Sequence, residues 1–328
     1  MKIIVTGGAG FIGSHLVESL VSDGHAVTVI DDFSSGERRN LAAVVKKIRI
    51  YVADIAKDRK LKQIFRGADW VFHLAARADI VPSITMPMRY HNTNVTGTIN
   101  VLEAARLGRV KRFIYAASSS CYGVPERYPT DESAPIVPMY PYALTKYLGE
   151  LAVLHWGQVY KLPVVSLRLF NVYGPRSRTS GVYGAVFGTF LAQKLVGKPF
   201  TVVGDGTQKR DFTYVTDVAQ AFINAAKSNI KNEIINIGTG KPQSINTLVK
   251  LIGGPVVHIP KRPGEPDRTQ ADIRKAKRLL SWSPKVPFEK GVSLLLANID
   301  LWKDAPVWTP KKIEKATKDW FTYLSNTA

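Results

Sequence analysis

The sequence predicts an α/β fold in which a doubly wound parallel sheet is followed by a smaller α/β lobe. Short apolar runs, such as residues 3–6 and 27–30, alternate with longer segments of helical periodicity, an order typical of parallel strands joined by helices. After residue 175 this alternation gives way to a Gly/Ser/Tyr-rich loop, an apolar helix at 185–196 and a Pro/Gly-rich loop at 260–266. The change in pattern predicts that the later part of the chain forms a separate lobe.

A glycine-rich turn follows the first predicted strand, residues 3–6, and precedes a helix predicted over residues 14–22. Its glycines permit a tight turn, close approach of a pyrophosphate to backbone N–H groups, and close packing of the helix on the strand. The anion would lie at the positive end of the helix dipole. A glycine triplet alone is a modest signal, since many strand-to-helix turns contain glycine. The dinucleotide-binding residues predicted here are Gly7, Gly10, Phe11, Ile12 and Gly13.

Two aspartates end the second predicted strand. They are Asp31, which lies eighteen residues after Gly13, and Asp32. A carboxylate there accepts hydrogen bonds from the adenosine ribose, and its charge repels a 2′-phosphate. The pattern therefore favours NAD over NADP, although Arg38 and Arg39 nearby keep NADP open.

Two more strand ends are expected at the cofactor. The strand predicted at residues 48–52 is followed by an aspartate that suits either the adenine amino group or a turn or helix cap. The strand predicted at 70–77 has small residues at its exit, which let the backbone pass close to a cofactor. His73 is expected to be a packed, hydrogen-bonded histidine rather than a catalyst or ligand. The cofactor-site residues predicted here are Asp54, Ile55, Leu74, Ala75 and Ala76.

The fifth predicted strand, residues 112–117, delivers a run of serines at its carboxyl end, where ligands bind in open parallel sheets. If the chain is helical from Tyr142 onward, Tyr142 and Lys146 lie one turn apart on one face. The lysine is then expected to lower the phenol pKa from about 10, which makes Tyr142 a proton acceptor at neutral pH. Tyr-x-x-x-Lys alone is weak evidence, because an interfacial tyrosine and a solvated lysine often share a helix face.

Further motifs extend this set along the chain. In order, they are the glycine turn, Asp31, His73-Leu74-Ala75-Ala76, Asn94-Val95-x-Gly97-Thr98, Ser118-Ser119-Ser120-Cys121-Tyr122-Gly123, Tyr142-x-x-x-Lys146 and Arg168-x-Phe170-Asn171. Together they resemble the extended short-chain dehydrogenase/reductase family, and the resemblance spans nearly the whole chain. It implies a Rossmann domain at residues 1–175, to which 211–240 returns, and a nucleotide-sugar lobe at 176–210 and 241–328.

The resemblance also implies residue roles. Tyr142 would remove the proton of a sugar hydroxyl, Ser118 would hydrogen-bond the same oxygen, and Lys146 would bind the nicotinamide ribose of NAD. Asn94 would lie at the cofactor. Arg178 is expected to supply donors to an acetamido or carboxylate group. For the other arginines a surface salt bridge is the competing interpretation. The substrate residues predicted in this way are Ser118, Ser119, Ser120, Asn171, Arg178, Arg210, Arg262 and Thr269.

The serine run bears on the type of reaction. Dehydratases of the resembled family carry Asp-Glu after the hydroxyl residue, and decarboxylases carry a glutamate at the second of those positions. This chain has Ser119 and Ser120, which cannot transfer protons as carboxylates do. The expected reaction is therefore C4 epimerisation of a UDP-hexose through a 4-keto intermediate. The alternatives are a dehydratase or decarboxylase, a net reductase, or a non-enzymatic dinucleotide sensor, although sensors commonly lack the reactive residues.

The sugar itself is left open. In the resembled family, Thr269 aligns with a position at which enzymes confined to unsubstituted hexoses carry a bulky tyrosine. A small residue leaves room, so UDP-GlcNAc/GalNAc, UDP-Glc/Gal and UDP-GlcA/GalA are all retained as substrates.

Composition sets the remaining expectations. The chain has 328 residues, 45% of them apolar and 22% charged, which fits a soluble enzyme. No apolar run can span a bilayer, and glycines follow the first strand too early for a signal peptide, so a cytoplasmic location is expected. Cys121 is the single cysteine, which predicts no disulfide and no zinc or other metal site.

The net charge of +19 is dispersed and lacks interleaved aromatic residues, so neither a nucleic-acid nor a membrane partner is predicted. The resemblance implies a homodimer. Its helices near residues 94–106 and 142–160 would pair across a two-fold axis as a four-helix bundle.

Overall fold

The computed structural model describes residues 1–177 and 186–325. In chain order, the strands are β1 (Lys2–Thr6), β2 (Ala26–Asp31), β3 (Ile48–Val52), β4 (Trp70–His73), β5 (Arg112–Ser118), β6 (Val164–Leu169), β7 (Val172–Tyr173), β8 (Phe200–Val203), β9 (Lys209–Arg210), β10 (Thr213–Tyr214), β11 (Glu233–Ile237), β12 (Gln243–Ser244) and β13 (Val256–Ile259). The helices are α1 (Phe11–Ser22), α2 (Leu61–Ile64), α3 (Ile80–Thr85), α4 (Pro87–His91), α5 (Thr98–Leu107), α6 (Pro141–Tyr160), α7 (Val186–Leu195), α8 (Val215–Lys227), α9 (Ile245–Ile252), α10 (Arg274–Leu280), α11 (Phe288–Ala297) and α12 (Pro310–Leu324).

The main sheet of the described residues has seven strands in the order β11-β6-β5-β4-β1-β2-β3, and all of its pairings are parallel. Strand order runs outward from β1 in both directions, so the predicted doubly wound parallel sheet is confirmed. Its inner strands are largely apolar because helices cover both faces of the sheet. Alternate residues of β1 point to opposite faces: Ile3 and Val5 pack in one core cluster with Phe222, and Ile4 packs in another with Val153.

A third core cluster lies in the later part of the chain and is rich in aromatic residues. Tyr173 stacks on Phe187 with ring centroids 4.6 Å apart, and Trp302 is fully buried in the same cluster. Short paired strands accompany it: β13 runs parallel to β8, and β12 runs antiparallel to β9. The sequence patterns did not predict β12 or β13. Strands of two to four residues carry too little periodicity to be detected.

The helix expected over residues 94–106 begins differently from the prediction. Residues Asn92–Gly97 form a π-helical turn, and the regular helix α5 starts at Thr98. Gly97 lies so close to Ile55 that an added Cβ would come within 2.8 Å of its side chain. The widened turn therefore packs directly on the segment that follows β3. Among the helices of the described residues, none has the length and apolar character needed to cross a membrane.

Candidate active site

A cavity of about 670 Å³ lies at the carboxyl edge of the main sheet, between that edge and the later part of the chain. Its volume is typical of a small-molecule or cofactor site. Most of the residues predicted for the cofactor and substrate line it. They are Gly7, Gly10, Phe11, Ile12, Gly13, Asp31, Asp32, Asp54, Ile55, Leu74, Ala75, Ala76, Ser118, Ser119, Ser120, Tyr142, Asn171, Arg210, Arg262 and Thr269. Asn94 and Lys146 are not among its lining residues, and Arg178 lies outside the described residues.

The glycine turn at the end of β1 forms a cradle that side chains cannot enter. An added Cβ at Gly13 would come within 2.1 Å of the Gly7 carbonyl oxygen, and one at Gly7 would lie 2.6 Å from the Ala75 nitrogen. Gly7 also has φ +70°, a conformation that favours glycine. Helix α1 begins here with Gly10 as its N-cap and no side-chain cap. Its first N–H groups are thus free to bind an anion.

Asp31 is held at the end of β2 by two backbone donors. Its carboxylate accepts from the N–H of Ala9 and of Phe33, both at 2.9 Å, and the residue is 7% exposed. Burial raises the pKa of Asp31, while these two hydrogen bonds oppose the rise. Each carboxylate oxygen has a second lone pair, so the group can still accept from ribose hydroxyls.

The residues around Asp31 also bear on the choice between NAD and NADP. The Asp32 carboxylate accepts hydrogen bonds from Ser34, and the Arg38 guanidinium lies over the Phe33 ring, 4.3 Å from its centroid. Arg39 forms an ion pair with Glu37. Both arginines that kept NADP open therefore interact with neighbouring protein groups.

Asp54 and Ile55 both line the cavity, and Asp54 also stabilises a turn. The Asp54 carboxylate accepts from the Ala56 N–H at 2.9 Å, as in an Asx turn, and pairs with Lys57 at 3.3 Å while also lining the cavity. Ile55 is 4% exposed and packs on Gly97.

Asn94 is not among the residues that line the cavity, and its side chain is hydrogen-bonded to neighbouring protein groups, while its predicted place at the cofactor stays a prediction. The fully buried carboxamide accepts from the Arg77 N–H at 2.8 Å, donates to the Arg77 carbonyl at 3.0 Å and donates to the Thr145 hydroxyl at 3.1 Å. Asn94 thus ties the segment after β4 to α6.

His73 is a packed residue, as predicted. Its ring nitrogens lie 2.6 Å from the Thr6 hydroxyl and 2.9 Å from the Thr98 hydroxyl. Burial lowers the pKa of His73 to about 3, so the ring is neutral and plays a structural part between β1, β4 and α5.

The serine run and Tyr142 meet at one side of the cavity. Ser118 ends β5, and its hydroxyl oxygen lies 2.8 Å from that of Ser120. Tyr142 occupies the first turn of α6, one turn before Lys146, as predicted from the spacing. This arrangement brings a phenol and two hydroxyls together at the wall of the cavity.

The predicted pKa of Tyr142 is wrong in direction. Burial raises the pKa of the phenol, a hydrogen bond with Ser118 opposes the rise, and the charge of Asp79 adds to it. Lys146 is 4% exposed, with its ammonium 4.2 Å from the Tyr115 ring centroid, and burial lowers its pKa to about 7. The cation on which the prediction depended is itself desolvated, and at neutral pH it is only partly protonated.

Arg210 and Arg262 share one carboxylate. A guanidinium nitrogen of Arg210 lies 3.0 Å from one oxygen of Glu265, and Nε of Arg262 lies 3.1 Å from the other. The two arginine side chains are 10% and 16% exposed, so neither pair is a surface salt bridge. Two guanidinium groups at the cavity wall form a site suited to a diphosphate.

Thr269 and Asn171 are joined by a hydrogen bond. The Thr269 hydroxyl donates to the Asn171 side-chain oxygen at 2.7 Å and accepts from the Asp211 N–H at 3.0 Å. The side-chain oxygen of Asn171 therefore accepts a hydrogen bond from Thr269, and its NH₂ group is the part of the side chain that can donate to a ligand in the cavity.

Sequence reasoning missed several cavity residues. Asp79, Tyr140, Trp308 and Trp320 all line the cavity. Tyr140 lies parallel to Tyr142, with ring centroids 6.4 Å apart and an interplanar angle of 7°. Its proximity in sequence to Tyr142 was a usable signal. The two tryptophans carried no local signal, because their positions depend on how the C-terminal part of the chain folds back.

Comparison with known proteins identifies the family. A model of the NAD dependent epimerase/dehydratase family matches residues 3–238. The chain belongs to this family. A putative UDP-glucose 4-epimerase from Methanocaldococcus jannaschii is 37% identical over 297 residues, which cover 88% of this chain and 95% of that protein. A UDP-N-acetyl-alpha-D-glucosaminuronate decarboxylase from Bacillus cytotoxicus is 34% identical over 308 residues, which cover 89% and 95%.

Solved structures give the same result. UDP-glucuronic acid 4-epimerase from Bacillus cereus, in complex with UDP-glucuronic acid and NAD, is 34% identical, with a TM-score of 0.83 and coverage of 92% of this chain and 99% of that one. Members of the epimerase/dehydratase family that resemble this chain thus include both epimerases and a decarboxylase. Family membership establishes an enzyme and leaves the reaction to be argued from the site.

The cofactor of the epimerase/dehydratase family is NAD, and the residues of this chain fit it. The glycine cradle, which an added Cβ would fill, would hold the pyrophosphate at the start of α1, and Asp31 would hold the adenosine ribose. When bound, NAD supplies a reversible hydride acceptor. No group of three or more His, Cys, Asp or Glu side chains in residues 1–177 and 186–325 is arranged to hold a metal ion.

Proposed function

We propose that this protein is an NAD-dependent epimerase that inverts C4 of a UDP-hexose through a 4-keto intermediate. The observation that carries the proposal is the hydroxyl character of the serine run. Ser118, Ser119 and Ser120 line the cavity beside Tyr142, and the hydroxyls of Ser118 and Ser120 interact at 2.8 Å. Elimination of water or loss of a carboxyl group needs a carboxylate at Ser119 or Ser120, according to the family pattern, and serine does not transfer protons in that way.

The proposed roles follow from the chemistry of each side chain. Tyr142 accepts the proton of the C4 hydroxyl in its deprotonated form, so that the raised pKa of the phenol limits this step, and Ser118 donates a hydrogen bond to the same oxygen. The hydride on C4 would be accepted by bound NAD, and the 4-keto sugar would turn in the cavity and take the hydride back on the opposite face of C4. Tyr142 then returns its proton to the oxygen. No net oxidation or reduction results.

The substrate is proposed to be a nucleoside diphosphate sugar with uridine as its base. The paired guanidiniums of Arg210 and Arg262 support binding of the diphosphate. Thr269 leaves more space than a tyrosine would at this position. UDP-GlcNAc/GalNAc, UDP-Glc/Gal and UDP-GlcA/GalA are therefore all proposed as candidates.

A product analysis tests the proposal. The protein is incubated separately with UDP-GlcNAc, UDP-glucose and UDP-glucuronate, and the products are resolved by chromatography. We expect the C4 epimer of at least one substrate, with no stoichiometric consumption of added NADH. A 4-keto-6-deoxy sugar or a UDP-pentose in place of the epimer would establish a dehydratase or decarboxylase instead. Stoichiometric oxidation of NADH would establish a reductase.

We also propose a homodimer that pairs through α6. This helix exposes large apolar side chains on one face, at positions spaced seven and eight residues apart: Leu144 (45% exposed), Leu151 (44%) and Val159 (49%). Such a face supports burial against a second copy. Sedimentation should give a dimer at micromolar concentration, and Leu151→Arg should give a monomer. A wild-type protein that sediments only as a monomer would contradict the proposal.

A further inference from the structure

Trp320, on α12, contacts both the substrate-binding and the proton-transferring parts of the cavity wall. Its indole N–H donates to the Pro263 carbonyl at 2.8 Å, and the Arg262 guanidinium carbon lies 5.2 Å from the ring centroid. On another side, its ring centroid lies 6.1 Å from that of Tyr140, which in turn stacks on Tyr142. One side chain therefore contacts the arginine loop and the aromatic residue next to the catalytic tyrosine.

The position of Trp320 is fixed by the packing of its helix. Trp320 is 3% exposed. It forms a buried cluster with Leu324, one helical turn further along α12, and with Val81 of α3. Thr309 caps the start of α12 by accepting from the Lys312 N–H. Because α3 follows the cavity residues at the exit of β4, α12 is anchored to the wall of the cavity itself.

Arg262 needs such support because it lies in a glycine- and proline-rich loop. The loop has a glycine with φ +68° at position 264, so its backbone alone does not dictate where the guanidinium points. Glu265 holds the guanidinium at 3.1 Å from one direction, and the Trp320 ring covers it from another. A guanidinium stacked on an indole keeps its plane and its donors in a defined orientation.

We propose that Trp320 is a positioning residue for diphosphate binding: it orders Arg262 through the ring stack and the Pro263 loop through the indole hydrogen bond. The inference rests on the proposed UDP-sugar function and extends it to a helix that the sequence motifs do not include. Preorganisation of this kind strengthens binding by lowering the ordering cost of the loop. It acts on substrate affinity and leaves the proton-transfer step unchanged.

Two substitutions separate the contributions. Trp320→Leu removes both the ring stack and the hydrogen bond, and it is expected to weaken UDP binding and raise KM for the UDP-sugar by roughly tenfold. Trp320→Phe retains a ring beneath Arg262 but loses the N–H, so a weakening of about threefold is expected. In both variants kcat should change by less than about twofold. The contact of Arg262 with the diphosphate is equally strong in the ground state and in the transition state, and losing such an interaction raises KM without lowering kcat.

The experiment is calorimetric titration of UDP, and separately of NAD, into the wild-type protein and both variants. Tyr323→Ala is the matched control, since Tyr323 lies on the same helix and is 64% exposed. We expect NAD affinity to be unchanged in every variant and UDP affinity to fall in the order wild type, Phe, Leu, with the control equal to wild type.

The other possible results contradict either the role of Trp320 or the proposed function. Equal UDP affinity of Trp320→Leu and wild type would overturn the inference while leaving the proposed function intact. Parallel loss of NAD and UDP binding would show a general structural role and would also overturn it. If Trp320→Leu does not fold, an unchanged UDP affinity of Trp320→Phe together with an unchanged KM overturns the inference. A wild-type protein that binds NAD but not UDP would instead refute the proposed function.

Discussion

Replacing Glu150 by glutamine is expected to destabilise the fold strongly. Glu150, on α6, pairs with Arg168, on β6, at 2.6 Å, and the two side chains are 1% and 2% exposed. The carboxylate also accepts from the Ser166 hydroxyl at 2.8 Å. Glutamine has nearly the same shape but no charge, so Arg168 would remain buried without a counter-charge. Breaking a buried ion pair in this way costs about 3–5 kcal/mol.

That cost is a large share of a typical unfolding free energy of about 5–15 kcal/mol. It should be measured by urea unfolding at pH 7, followed by circular dichroism, with the m-value held as a check on two-state behaviour. Removing both charges, in Glu150→Gln with Arg168→Met, should recover most of the loss, because no unpaired charge is then buried.

A surface pair provides the control. Lys227 and Asp23 lie 3.3 Å apart, with side chains 54% and 42% exposed. Asp23→Asn should change the unfolding free energy by less than about 1 kcal/mol, since exposed pairs are well solvated. If Glu150→Gln costs no more than Asp23→Asn, or if the double variant is no more stable than the single one, the reasoning about the buried pair is refuted.

Three further predictions concern the site. Tyr142→Phe should lower kcat by about 10²–10⁴ with NAD affinity unchanged, as measured by product formation and calorimetry, and wild-type turnover would remove Tyr142 as the base. Asp79→Asn removes a charge that raises the pKa of Tyr142. Because the phenol must lose its proton to act as a base, the rising limb of kcat/KM against pH should shift to lower pH, and a shift to higher pH would contradict this assignment. Gly13→Ala places a Cβ within 2.1 Å of the Gly7 carbonyl oxygen and should weaken NAD binding by at least roughly tenfold in calorimetric titration, whereas full affinity would show that the turn can move aside.

The parts of the fold that could be predicted are those specified by neighbouring residues. The glycine turn, the acidic end of β2 and the Tyr142–Lys146 spacing each lie within a short stretch of chain, and the order of strands and helices follows from hydrophobic patterning. The all-parallel sheet then places their carboxyl ends along one edge, so the part of the cavity formed by this edge could be predicted from local signals.

The features that could not be predicted depend on burial and on distant contacts. Lys146 lies on a helix face like any other lysine in the sequence, and only its burial in the fold, which depends on distant parts of the chain, lowers its pKa to about 7. Asn94 matched a motif, but its amide turns to the Arg77 backbone. Trp320 reaches the cavity through the packing of α12 on α3, which no local pattern encodes.

The last strand of the main sheet is synthesised well after the other six strands, because it comes from residues 233–237. Among the residues that the structure describes, strand β11 (Glu233–Ile237) pairs with β6 (Val164–Leu169) and with no other strand. One edge of β6 therefore stays open until residues 233–237 have been synthesised. A fragment ending at residue 177 would contain the glycine turn, the serine run and Tyr142, but it would expose that edge. Unpaired edges recruit other strands, so such a fragment should self-associate rather than fold as a minimal nucleotide-binding module.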